Sequence, residues 1–150
     1  MSAPRPQPAA PVLALGIGCE RGCPTVEIAA LAEAALTEAG LAAGALAAVV
    51  SIELKRDEPA ILALAAALGV PARFFTAARL LAETGRLTER SAAAFRATGC
   101  WGVAEAAALA ACGADGVLIV PRRRSRRATC AVTRAAAPID GSTLDSRGAS

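Results

Sequence analysis

Apolar and polar positions follow two different periods along this chain, and the change from one to the other divides it into elements. Positions 12–16 form a short apolar run closing on Gly, the pattern of a strand buried on both faces. From 26 to 39 the residues Ile28, Leu31, Ala32, Ala35, Leu36 and Ala39 recur at helical spacing. Glu27, Glu33, Thr37 and Glu38 fall on the other side, and Gly40 suits the left-handed position that ends a helix. After a loop at 41–45, positions 46–52 read as a second strand and 53–58 as a polar turn. A helix then runs from Pro59, a residue tolerated in a first turn, and stops at Gly69. It carries no charge, which predicts that much of its circumference is covered. A third strand over 72–76 is followed by a helix over 77–83 capped by Thr76, a link over 84–88, and helices over 89–97 and 103–111. The last two strands, 116–121 and 128–133, are close enough in sequence for an antiparallel hairpin, with Pro121 at an edge or strand end.

This order predicts one α/β domain over 12–134. Its architecture is a three-layer sandwich with a mainly parallel sheet, helices on both faces and a C-terminal antiparallel hairpin. The Pro-rich 1–11 segment predicts a disordered lead-in, and the Ala, Gly, Ser, Pro and Asp of 135–150 a disordered tail. In such a sheet the turns after the first three strands meet at the carboxyl edge, where ligands of open α/β sheets sit.

Charge adds a local feature to this picture. The net charge is only +3, but Arg122, Arg123, Arg124, Arg126 and Arg127 lie within six consecutive positions. Without them the chain would be slightly acidic, so an anionic partner is expected near that segment. Few aromatics, no recognised nucleic-acid motif and modest total charge argue against nucleic acid. A polycarboxylate or phosphate suits a local Arg cluster better. Five cysteines, an odd number, do not make a closed disulfide framework. With no signal-peptide pattern and no uninterrupted apolar span, the expected setting is a reducing cytoplasm, away from membranes.

The candidate chemistry lies in the turns. Gly16-x-Gly18-x-x-x-Gly22 misses the dinucleotide fingerprint by one residue and is no phosphate loop. Such a turn either holds a ligand or packs a helix on the sheet, and the residues leave both open. Cys19 and Cys23 lack further ligands, and the chain has no His, so neither a metal nor a cofactor is expected. Cys19, near a helix start and Arg21, is a candidate low-pKa thiol; the plainer reading is an unreactive turn residue. Glu53, Lys55, Asp57 and Glu58 form either an acid–base group or a solvated turn. A second Gly-bearing turn, 98–102, opens another helix.

Four segments in order resemble the CobE/CbiG C-terminal family of cobalamin biosynthesis. They are Gly16-Ile-Gly-Cys-Glu-Arg-Gly22, Ser51-Ile-Glu-Leu-Lys-Arg-Asp-Glu58, the 97–108 stretch around Gly99 and Gly102, and Val117-Leu-Ile-Val-Pro121 ahead of the basic run. The resemblance spans about residues 12–134 and is to the short stand-alone form. It implies a cobalamin-biosynthesis protein that binds or carries a precorrin tetrapyrrole, a flat macrocycle ringed by carboxylates. The matching positions are Gly16, Gly18, Cys19, Arg21, Gly22, Lys55, Asp57, Glu58, Thr98, Gly99, Gly102, Val103 and Glu105. Ligand binding is expected at Gly16, Gly18, Cys19, Arg21, Gly22, Thr98, Gly99, Gly102, Arg122 and Arg123, with Trp101 as a residue able to stack on the macrocycle. The fused relatives imply an alternative, a precorrin ring A lactone hydrolase. Lys55, Asp57 and Glu58 would then be acid–base candidates and Cys19 a nucleophile. A third reading is a non-catalytic partner of another cobalamin-biosynthesis enzyme.

Overall fold

Large and small side chains alternate along β1 (Leu13–Cys19), and the two faces of the sheet follow from that alternation. The computed structural model describes residues 12–40 and 45–135. The lead-in expected over 1–11, most of the 41–45 loop, and the tail beyond Ala135 lie outside the described residues. Successive strand residues point to opposite faces. Leu13, Leu15 and Ile17 therefore enter one core layer, and Ala14, Gly16 and Gly18 face the other.

The large face packs on α1 (Thr25–Glu38) and α2 (Pro59–Leu68). Ile28, Ala32, Ala35 and Leu36 of α1, and Ala60, Ile61, Leu64 and Ala65 of α2, form the buried stripes. The uncharged α2 is covered on that stripe alone, since Leu62 is 43% exposed. Broad coverage was the expectation; Ala at 63, 66 and 67 tolerates solvent and lets one face stay open. α2 stops at Gly69, which takes the left-handed φ of +70°.

The small face receives α5 (Val103–Cys112), and all ten of its residues are buried. An added Cβ at Gly16 would lie 1.9 Å from the Ala104 carbonyl oxygen, and one at Gly18 would lie 2.8 Å from Thr129 Oγ1. Gly16 is thus a strand residue that lets a helix backbone approach, and Gly18 one that leaves room for the Thr129 side chain. The expected turn at 16–18 is corrected: β1 runs on through both glycines to Cys19.

Beside β1 lie β2 (Leu46–Ile52) and then β3 (Ala72–Phe75), both parallel. On the other side β5 (Ala128–Arg134) pairs antiparallel with β1, and β4 (Val117–Arg124) pairs antiparallel with β5. The order β3-β2-β1-β5-β4 confirms the α/β class and the hairpin. It corrects the mainly parallel sheet: half of the pairings are antiparallel, because the second hairpin strand inserts beside β1. Pro121 sits on the edge strand β4, where its missing N–H breaks no ladder. That strand also extends further than expected, carrying Arg123 and Arg124 as ladder residues rather than as a turn, with Arg122 in the register irregularity after Val120.

Three short segments cross from β3 to α5. α3 (Ala77–Leu81) is capped by Thr76, whose Oγ1 accepts the Arg79 N–H at 3.1 Å. A 3-10 turn occupies Thr84–Arg86 within the expected link. α4 (Ala92–Thr98) is capped by Ser91, buries no residue and begins later than 89. Among the described residues no helix is long and apolar enough to cross a membrane.

Gly16→Ala places a methyl group against backbone that has no side chain to rotate away. Urea unfolding should show a loss of about 2 kcal/mol or more. An unchanged midpoint would mean that α5 does not lie against β1 as described.

Candidate functional site

The strand order reverses at β1, and a cleft of about 310 Å³ opens at that point of the carboxyl edge. Its floor is the end of β1, with Gly18, Cys19 and Glu20, beside Ala128 and Thr129 of β5. One wall is α4, through Ser91, Ala94, Ala97 and Thr98. Gly102 and Val103, at the N-terminus of α5, close the back, where unpaired N–H groups favour negative charge. The other wall is the hairpin, with Arg122, Arg124, Arg126 and Arg127, and Lys55 reaches in from the second turn.

Strand period two divides the arginine run. Arg122 and Arg124 line the cleft, whereas Arg123 turns to the opposite face. There its guanidinium forms a bidentate pair with Glu38 at the end of α1, 2.9 Å from Nε to Oε1 with a second contact from Nη2 to Oε2. That bond holds the Glu38 carboxyl below its ordinary range. Arg123, expected among the ligand-binding residues, thus lies outside the cleft lining.

Three carboxylates fasten the arginine ribbon without occupying its cleft side. Glu38 holds Arg123. Glu27, in the first turn of α1, accepts from the Ser125 hydroxyl and from the Arg127 N–H at 2.6 Å, and these bonds lower its pKa. Glu105, buried in α5, accepts the Arg122 N–H at 2.8 Å, the Thr88 N–H at 2.7 Å and the Thr88 hydroxyl at 2.5 Å. No ion pair with Arg124, Arg126 or Arg127 occurs among the described residues. Arg124, Arg126, Arg127 and Thr129 are lining residues absent from the expected binding set; the density of the run was the one signal for them.

The acid–base candidates are joined in a clamp between the first two turns. Arg21 donates to Asp57 Oδ1 at 3.2 Å and to the Leu54 carbonyl at 2.7 Å, and lies 3.8 Å from Glu58. The Arg21 guanidinium holds the Asp57 carboxyl below its usual range. Glu58 is buried and accepts the Gly22 N–H at 3.1 Å rather than capping its own helix. Lys55, also buried, donates to the Cys19 carbonyl at 2.5 Å. Asp57, Glu58, Arg21 and Gly22 do not line the cleft.

Cys19 lines the cleft but is no thiolate. Burial pushes its thiol up to about 11, against the pull of the Lys55 ammonium. Of the two readings of Cys19, the unreactive one is favoured: Cys19 ends a strand rather than opening a helix, and desolvation outweighs the neighbouring cation. Gly16 is sealed under α5 and Gly99 ends α4 with φ of +83°, so neither lines the cleft; Gly18, Thr98 and Gly102 do. Trp101 stacks on Phe95, with ring centroids 4.3 Å apart, outside the cleft lining. Among the described residues no cluster of His, Cys, Asp and Glu suits a metal ion.

The family model described as "Cobalamin synthesis G C-terminus" matches residues 13–133. The chain belongs to this family. It is 51% identical over 120 residues to protein CobE of a Sinorhizobium species, covering 80% of this chain and 78% of that one. It is 33% identical over 112 residues to a cobalt-precorrin-5A hydrolase of Priestia megaterium; that match takes in 75% of this chain but 29% of the hydrolase. The crystal structure of a CobE from the cobalamin pathway superposes with a TM-score of 0.79 at 42% identity, covering 86% of this chain and 94% of that one. The cobalamin biosynthesis protein chiG of Agrobacterium tumefaciens gives 0.64 at 29% identity, covering 83% and 99%. The resemblance read from the four segments is thus confirmed at the level of the family, and the α/β fold matches its solved members.

The Cys19 thiol should be alkylated slowly in the folded protein at pH 7.5. Its rate, followed on the Cys19 peptide by mass spectrometry, should still climb as pH rises past 9 toward 11, because the thiolate forms only there. A rate already level at pH 9 would mean an ordinary, unburied thiol.

Proposed function

We propose that this member of the family binds a tetrapyrrole intermediate of cobalamin synthesis at the basic cleft, through the carboxylates on the rim of the macrocycle. The observation that carries the reading is the arginine ribbon: Arg122, Arg124, Arg126 and Arg127 face one cleft, beside the N-terminus of α5. Arginine forks match carboxylates bidentately, and several such pairs suit a ligand with several carboxylates. A cleft of about 310 Å³ is too small to enclose a tetrapyrrole, so the macrocycle enters by one edge and leaves the rest open to solvent or to a second protein. An exposed edge is what a carrier needs in order to hand its cargo on.

Binding is better supported than hydrolysis of the ring A lactone. The hydrolytic reading required an acid–base pair and a nucleophile facing one space. Asp57 and Glu58 are instead engaged with Arg21 and Gly22 in the clamp, and the Cys19 thiol is protonated at neutral pH. Partnership with another pathway enzyme is compatible with binding, since a carrier must meet a donor and an acceptor.

Titration of the purified protein with a precorrin-pathway intermediate, read by absorbance, tests this directly. Saturable binding at micromolar concentrations without acetaldehyde release is the expected result. Acetaldehyde release would favour the hydrolase, and absence of binding would remove the carrier reading. The ribbon makes a sharper prediction. Arg124→Ala should weaken binding by roughly three- to tenfold at low salt, with the difference shrinking as ionic strength rises. Arg123→Ala should leave affinity nearly unchanged, because that side chain is spent on Glu38. Equal losses from both would refute the division of the run between two faces.

A further inference from the structure

One cation of the cleft differs from its neighbours. Arg122 is only 16% exposed in its side chain, and its Nη2 lies 3.2 Å from the Glu89 carboxylate, which is 59% exposed. Its Nε is buried with no hydrogen-bond partner among the described residues. A buried guanidinium with an unused donor is incompletely satisfied. Among the described residues its one carboxylate partner is the largely exposed Glu89, which meets it through a single contact. The backbone around this pair is well held, since Glu105 fixes the Arg122 N–H and both donors of Thr88, the residue next to Glu89. Glu89 itself precedes α4, the cleft wall that buries no residue. Ser91 ties that segment to Trp101 by a 2.8 Å backbone bond.

We infer that Glu89 is an internal competitor for the ligand. In the free protein its carboxylate occupies Arg122; a ligand carboxylate displaces it and takes the guanidinium with fuller hydrogen bonding. This deepens the reading of the cleft and rests on it. The consequence is a threshold in affinity that every ligand must exceed. A ligand with a single carboxylate merely exchanges one carboxylate for another at Arg122 and gains little. A polycarboxylate gains from Arg124, Arg126 and Arg127 at the same time, so it outcompetes Glu89 where a monocarboxylate does not. Glu89 thus sets this threshold while touching the ligand at no point once displaced.

Uroporphyrin, a porphyrin with eight carboxylates, serves as the probe, with binding followed by its own fluorescence on the full chain. Glu89→Gln removes the competing charge at an exposed position that leaves the fold intact. It should tighten binding roughly two- to fivefold, the scale of an exposed ion pair. The gain should vanish in an Arg122→Gln background and fade at high salt. A porphyrin with two carboxylates should gain no more than this, because competition at Arg122 lowers the affinity of every ligand that uses it by one common factor. Glu89→Asp, which keeps the charge, should stay near the wild type. If the wild type binds uroporphyrin and Glu89→Gln binds no tighter, or tightens equally without Arg122, the competitor is refuted and the cleft reading stands. If neither chain binds uroporphyrin, the cleft reading falls and the competitor with it.

Discussion

A missing pair of side chains governs this molecule. At 16 and 18 the central strand carries only hydrogen; the backbone of α5 lies where a Cβ of residue 16 would be, and the Thr129 hydroxyl crowds the same place at residue 18. Close approach has a packing cost, because glycine offers no apolar surface of its own. α5 meets it from its side, as an Ala-rich helix buried at every position. Helix and strand together make a thin, tight layer whose dispersion contacts replace those that larger side chains would give. The same contact fixes the N-terminus of α5 beside the end of β1, so the back of the cleft is a by-product of how the core is packed.

The charges are arranged on that frame with a clear division of labour. Glu27, Glu38 and Glu105 each take a hydrogen bond from the β4–β5 hairpin, two of them from backbone N–H groups. They secure the ribbon's position and neutralise one arginine, leaving four on the cleft side. Repulsion among those cations is unfavourable for the free protein, and an anion relieves it. On the other side of β1, Arg21, Asp57 and Glu58 tie two turns together. Residues whose types suggest catalysis are bonded there to one another and to backbone.

Much of the architecture was legible before any coordinates. Helical spacing placed α1, α2 and α5 to within a residue or two, and Gly40 and Gly69 marked the ends of the first two. The hairpin followed from two apolar runs around a polar one. The extent of β1 is less legible, because glycine signals a turn as readily as a crowded strand. The alternation Leu-Ala-Leu-Gly-Ile-Gly over 13–18 already held the better reading: a strand with one large and one small face. The trespass of β4 into the arginine run was hidden for a similar reason. Charged residues suggest a loop, yet an edge strand tolerates them on both faces.

The sequence by itself determined the element order, the α/β class, the family and the presence of a local basic feature, because each depends on residues near one another in the chain. Only the tertiary structure decided which side chains share a space. Arg123 and Arg124 are neighbours in sequence yet serve opposite faces, and Glu38 is far from Arg123 in sequence yet bonded to it. Such pairings are set by strand pleat, by the insertion of β5 beside β1 and by the height at which α1 ends over the sheet. The glycines of β1 show the same limit. Their spacing announced a backbone that something approaches closely, and the fold alone made that something a helix at Gly16 while leaving Gly18 in the cleft lining.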